Sequence, residues 1–228
     1  MILIKWEELP TTMQTPEVKK YYKSLKRRSV DLLAKRLFDV IASCILLGIL
    51  MLPMCVIAVW IKLDSKGPVM FRQTRVTTGG REFRIFKFRT MVTDAESIGT
   101  QVTVGQDPRI TKAGRLLRKF RLDELPQLLN VLSGDMSFVG TRPEVVRYVE
   151  QYTPEMWATL LMPAGITSEA SIQYKDEDRL LEGAEDPDRV YIEQILPDKM
   201  KYNLQYIRHF RFVHDLGIML RTVLAVLK

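Results

Sequence analysis

From Val40 to Ile61 the chain reads VIASCILLGILMLPMCVIAVWI, 22 residues without a charge. As a helix this run would extend about 33 Å, enough to cross the hydrocarbon of a bilayer. A helix apolar on every side at this length is solvated by lipid more readily than by a small protein core. It starts too far into the chain, and continues into the wrong residues, for a cleaved signal peptide. Two features argue against a plain crossing. Pro53 falls past the middle of the run, where it deletes a backbone hydrogen bond and favours a kink. Both flanks are basic: Lys26, Arg27, Arg28, Lys35 and Arg36 before it, Lys62, Lys66, Arg72 and Arg75 after it. Positive flanks mark the cytoplasmic side, and a helix that bends at Pro53 and returns to its own leaflet satisfies both. The sequence therefore predicts a re-entrant hairpin, with a straight span as the alternative.

The remainder has the composition of a folded domain: 228 residues, 46% hydrophobic, 27% charged. The net charge of +7 points to an anionic partner such as phosphate or lipid headgroups. Cys44 and Cys55 both lie inside the apolar run, which leaves no disulfide framework or zinc site and fits a reducing, cytoplasm-facing location. Residues 1–30 read as a basic extension, either a solvated tail or an arm along the membrane surface. Residues 31–66 read as the membrane helix, and residues 67–228 as a catalytic domain ending in helices. Within that domain GPVMFRQTRV and REFRIFKFRTM flank the turn signal TTGG and predict a β-hairpin. Alternation places Lys87 and Arg89 on one face of its second strand, Phe86 and Phe88 on the other. Ala113, Leu116, Leu117 and Phe120 give residues 112–120 the spacing of an amphipathic helix. LPQLLNVL predicts a further helix stopped at SGD, and Tyr191 onward reads as helical with an apolar stripe near the end. The expected fold class is thus α+β, mostly helical and membrane-associated.

The chemistry concentrates in RLDELPQ. Asp123 and Glu124 follow a basic run, RITKAGRLLRKFR. Asp123 can be an N-cap, with Pro126 in the first turn. A carboxylate so placed is favoured as an anion by the helix dipole and by neighbouring arginines. Such a carboxylate can attack phosphorus where cations and Mg²⁺ offset the substrate's charge. Lys87, Arg89, Arg115, Arg118, Arg121 and Arg142 are the candidates to hold a diphosphate. No GxGxxG or P-loop is present. His209 and His214 have no metal-site companions, and Asp176-x-Asp178 is a DxD pattern too common on acidic surfaces to carry a glycosyltransferase reading by itself. Nucleic-acid binding has no motif behind it.

FDVIASCILLGILMLP, KLDSKGPVMFRQTRV, FRIFKFRTM, FRLDELPQLLNVLSGDMSFVGTRPE and GIT follow one another in the order found in bacterial sugar transferases. Over residues 31–228 the chain resembles these monotopic phosphoglycosyl transferases, which start glycan assembly on a polyprenol-phosphate carrier. The resemblance implies transfer of a sugar 1-phosphate from a UDP-sugar to polyprenol (undecaprenyl) phosphate, with UMP leaving, by a ping-pong route. By the same match Asp123 would be the nucleophile and Mg²⁺ ligand. Glu124 would orient groups or handle the carrier's proton. Lys87, Arg89 and Arg142 would bind phosphates. The family's re-entrant helix implies the cytoplasmic face of the inner membrane, with membrane lipids as partners. A homodimer is compatible with the sequence, which carries no motif for it. Three positions depart from the family: Leu52 precedes the proline where Ser is common, Thr141 stands where many members have Pro, and MPAGITSEAS lacks an arginine and has Ser168 for glycine. With no membrane helices or regulatory domain ahead of Asp31, a small-core form is expected. The competing readings are a non-catalytic membrane scaffold and a DxD glycosyltransferase.

Overall fold

The computed structural model describes residues 3–95, 107–175 and 177–227. Helix α1 (Pro16–Lys26) opens on Thr15, whose hydroxyl accepts the Val18 amide, and on Pro16 in its first turn. Val18, Tyr21, Tyr22 and Leu25 share one face by helical spacing, and all four are buried. They pack, with Leu9 and Met13, into the largest hydrophobic cluster of the molecule. Tyr21 donates to Glu155 at 2.7 Å, and burial together with that carboxylate pushes the phenol up to about 12. The basic extension is therefore neither a loose tail nor only a surface arm. Its lysines face outward, but its apolar stripe completes the domain core.

After a two-residue break the chain enters α2 (Ser29–Asp64), 36 residues long. Helical conformation continues through Pro53, so the expected two-armed break at that residue is not seen. At about 54 Å, α2 exceeds the thickness of bilayer hydrocarbon. Its middle is open to the surroundings: Ile45, Ile49, Met51, Leu52 and Val56 are all exposed. Cys44 and Cys55 are also exposed and free.

Both ends of α2 pack on the same globular body. At the N-terminal end Leu32, Lys35, Asp39 and Ser43 form one buried stripe. Lys35 Nζ donates to the Val139 carbonyl at 2.7 Å and pairs with Asp215 at 2.5 Å. Asp39 accepts from Ser137 Oγ and from the Phe138 amide. Arg36 donates to the Val131 and Leu132 carbonyls, covering the end of a neighbouring helix. At the C-terminal end Ile57 and Ile61 pack against Phe88 and Leu117, while Asp64 accepts the Ala113 amide. Replacing Lys35 with Met should lower stability by about 3–5 kcal/mol, because it strands Asp215 and Asp39 without their buried cation. Chemical unfolding of purified variant and wild type in detergent would measure this.

Strands β1 (Met70–Val76) and β2 (Glu82–Phe88) form the antiparallel hairpin the sequence predicts, from Met70↔Phe88 to Val76↔Glu82. Gly79 and Gly80 take the positive φ of its turn, 69° and 74°. Helix α3 (Lys112–Lys119) and helix α4 (Gln127–Ser133) follow. Gly134 ends α4 at φ 91°, as the SGD signal predicts. Strand β3 (Met136–Val139) pairs in parallel with β4 (Ala164–Thr167), a pairing with no strong local signal. Gly140 and Gly165 pass so closely that a Cβ on Gly165 would lie 2.2 Å from the Gly140 nitrogen. Helices α5 (Leu196–Arg208) and α6 (Phe212–Leu227) close the chain. Leu216, Leu220, Val223 and Leu224 leave the stripe of α6 largely exposed.

Candidate active site

Asp123 and Glu124 lie in a short 3-10 turn, Leu122–Glu124, between α3 and α4. The N-cap position of α4 belongs to Pro126, and the Asp123 carboxylate caps nothing. The expected helix cap is therefore wrong: the 3-10 turn sets the acid back from the helix start and turns it inward. Both acids are nearly removed from solvent, at 8% and 7% exposure.

Their environments differ sharply. Glu124 Oε1 accepts from Lys87 Nζ at 3.0 Å and Arg142 Nη2 at 2.9 Å, and the Arg121 guanidinium stands 4.0 Å away. Burial by itself would raise the Glu124 carboxyl, but Arg142, Lys87 and Arg121 together hold it well below the usual carboxylate range. Asp123 shifts the opposite way. Burial pushes its carboxyl up, Lys87 opposes that, and the charge of Glu124 adds to it. The stabilised anion is thus Glu124, held by cations, and not Asp123, where burial is the larger effect and the short turn supplies little dipole. In the metal-free protein the Asp123 carboxyl should accordingly titrate above the ordinary aspartate value of 3.8. An NMR titration of the carboxyl without divalent cation tests this; a value at or below the ordinary one contradicts it.

Two elements deliver the cations bonded to Glu124. Lys87 comes from the end of β2. Phe83 and Ile85, on its face of the strand, pack towards Val131, Met136 and Ala164, whereas Phe88 packs towards α2. Asn130 fixes α4 against this strand: its Oδ1 accepts the Phe86 amide at 2.8 Å and its Nδ2 donates to the Arg84 carbonyl at 3.2 Å. Arg142 comes from the loop after β3. Arg75 braces that loop by donating to the Pro143 carbonyl at 3.1 Å. Behind it Glu144 accepts from Tyr191, whose hydroxyl also accepts from Lys199, and Lys199 pairs with Glu177.

Not every expected residue converges here. The strand ends at Phe88, and Arg89 turns away. Its guanidinium donates to the Pro68, Lys66 and Ser65 carbonyls at 2.6–2.9 Å, clamping the exit of α2. It is placed as a structural clamp, not as a phosphate ligand. Arg118 is half-buried and favours the Asp123 anion through its charge, while Arg115 is exposed on α3. Asp176 and the side chain of Asp178 lie outside the described residues. His209 contacts its own helix carbonyl at Gln205.

One further observation marks the site. Among the described residues, the buried side-chain polar atoms without a hydrogen-bond partner are Arg75 Nε, Asp123 Oδ1, Gln127 Nε2 and Thr141 Oγ1. Asp123 belongs to the acid pair, Gln127 follows it at the start of α4, Thr141 precedes Arg142, and Arg75 lies on β1, the strand paired with the one that carries Lys87. Buried polar atoms are rarely left unmatched, so their gathering here marks a place built for a polar ligand. Sequence reasoning missed Arg75, Gln127 and Asn130; a polar residue at a buried helix position, as in LLNVL, was the available signal. No group of three His, Cys, Asp or Glu side chains able to hold a metal occurs among the described residues. The Asp123 carboxylate nevertheless fits Mg²⁺, which commonly takes one protein carboxylate and completes its shell with substrate phosphates and water.

Residues 30–228 match the sequence profile of the bacterial sugar transferases. The chain belongs to that family. Among curated bacterial sugar transferase relatives, it is 38% identical over 197 residues to an Aeromonas hydrophila protein named UDP-N-acetylgalactosamine-undecaprenyl-phosphate N-acetylgalactosaminephosphotransferase, covering 85% of this chain and 43% of that one. It is 38% identical over 199 residues to the UDP-glucose:undecaprenyl-phosphate glucose-1-phosphate transferase of Escherichia coli K12, covering 85% of this chain and 40% of that one. A Caulobacter vibrioides protein of the same name is 39% identical over 208 residues, 89% of this chain and 73% of that one. The chain thus spans about two fifths of the length of the first two relatives. The bacterial sugar transferase match begins at residue 30, so α1 stands outside it although it completes the core.

Proposed function

We propose that this protein transfers a sugar 1-phosphate from a UDP-sugar to polyprenol phosphate, giving polyprenol-diphosphate sugar and UMP. The observation that carries the reading is the split acid pair: Glu124 fully engaged by cations, Asp123 Oδ1 buried and free. Asp123 Oδ1 forms a bond to the sugar-bearing phosphorus. The bond from that phosphorus to the bridging oxygen breaks, and UMP leaves with the oxygen and its electron pair. A phosphate oxygen of the carrier then attacks the same phosphorus, and the bond to Asp123 breaks, restoring the carboxylate. Glu124 is held ionised and has no spare proton affinity, so its part is to position Lys87 and Arg142 against the phosphates. Mg²⁺ would be held by Asp123 and would supply charge neutralisation on the diphosphate.

The membrane arrangement is part of the proposal. A helix whose two ends both pack on one domain, and whose apolar middle is open, supports entry and return on the same leaflet at the cytoplasmic face. A cysteine-reactive probe placed before Asp31 should then be labelled only from the cytoplasm; labelling from outside would dismiss this topology.

The decisive assay is the protein in detergent or nanodiscs with Mg²⁺, undecaprenyl phosphate and a panel of UDP-sugars. UMP release dependent on the carrier is expected with at least one sugar. No release with any of them, by a folded protein, overturns the reading.

A further inference from the structure

Arg121 is the one non-glycine residue with positive φ among the described residues, at φ 56° and ψ 21°. A left-handed conformation is unfavourable for a long side chain, and such strain persists where the surroundings demand a particular geometry. Here it turns the chain between α3 and the Leu122–Glu124 turn. It leaves the Arg121 side chain 45% exposed beside the acid pair. Its charge reaches both carboxyls.

Its donors are also unspent. Lys87 and Arg142 each make a hydrogen bond to Glu124, at 3.0 and 2.9 Å, whereas the Arg121 guanidinium stops at 4.0 Å. The helix before it carries exposed apolar side chains among its cations. Leu116 and Phe120, the two outward members of the α3 stripe, are each 46% exposed. Of its two buried members, Ala113 and Leu117, the latter packs on Ile57 and Ile61 of α2. Close by on the same stretch of α2, Val59, Trp60 and Leu63 are exposed. Exposed apolar side chains therefore stand on α3 and on the end of α2 packed against it, and the residue after α3 brings a half-exposed guanidinium beside the acid pair, 4.0 Å from Glu124.

We propose that Arg121 binds the phosphate of the lipid acceptor, with its polyprenyl chain along Leu116 and Phe120, while Lys87 and Arg142 serve the donor diphosphate. A phosphate attached to a long apolar chain is the ligand that needs both features side by side. This inference rests on the proposed reaction and assigns its two anionic substrates to different cations.

The test uses the full chain in nanodiscs, with Arg121→Asn and Arg121→Lys. Asparagine tolerates the left-handed conformation and removes the charge; lysine keeps the charge. Arg121→Asn should raise the apparent KM for undecaprenyl phosphate about tenfold, the size of one lost charge-assisted hydrogen bond. Its KM for the UDP-sugar should stay within about twofold and its thermal midpoint should not fall. Arg121→Lys should recover most of the acceptor KM. An acceptor KM that does not move, or donor and acceptor KM rising together, overturns the assignment while leaving the reaction in place. Wild-type protein that releases no UMP with any acceptor removes the reaction, and this assignment with it.

Discussion

Asp123→Asn should abolish turnover, by about 10⁴-fold or more, and should not weaken the fold. The loss is of the size seen when a nucleophile is removed and only binding contributions remain. Asparagine keeps the shape of the side chain but cannot form the bond to phosphorus. The fold should tolerate it because Asp123 Oδ1 has no partner to lose. A carboxyl whose native pKa is raised above 3.8 contributes stability below that pH and loses it as pH climbs through the native value. At neutral pH the ionised side chain is therefore a net liability, and the variant's thermal midpoint should equal or exceed the wild type's. With radiolabelled UDP-sugar and no acceptor, label should stay on the wild-type protein and not on the variant. Label retained by Asp123→Asn, or near-normal turnover, would assign the nucleophile elsewhere.

Glu124→Gln should damage both function and stability. The substitution keeps the volume and removes the anion that two half-buried cations share. Lys87 and Arg142 are then left to repel each other in a site only partly open to water. A loss of about 3 kcal/mol is expected, or a fall of about 6–12 °C in Tm. Turnover should drop about 10²–10³-fold, since both cations lose their aim at the substrate's phosphates. The pH dependence has a definite sign. The native Glu124 value is depressed below 4.5, so its stabilising contribution is present above that pH and lost as pH falls through the native value. The gap in stability between wild type and variant should be constant from neutral pH to about pH 5 and should close in stronger acid. A gap that persists unchanged in strong acid would show that the ionised carboxylate is not what holds the cations.

The two acids illustrate how far the sequence reaches. Their adjacency after a basic run pointed to them as a candidate phosphate-handling site. It did not reveal which acid would be held ionised. That depends on Lys87 and Arg142 meeting at Glu124, from positions 37 residues before it and 18 residues after it. Arg89 shows the same limit. Alternation put it on the face of Lys87, but the strand stops at Phe88 and the side chain is taken up by three carbonyls at the end of α2.

What the sequence determined by itself is local. The apolar run required a long apolar helix, TTGG required the hairpin turn, and the amphipathic spacing of residues 112–120 required α3. Each follows from side-chain periodicity or backbone preference within a few residues. The tertiary structure alone decided the rest: the burial of α1 in the core, the parallel pairing of β3 with β4, the fastening of both ends of α2 to one domain, and the opposite fates of Asp123 and Glu124. These depend on contacts between residues far apart in the chain, and on desolvation, which has no value until the fold has removed the water.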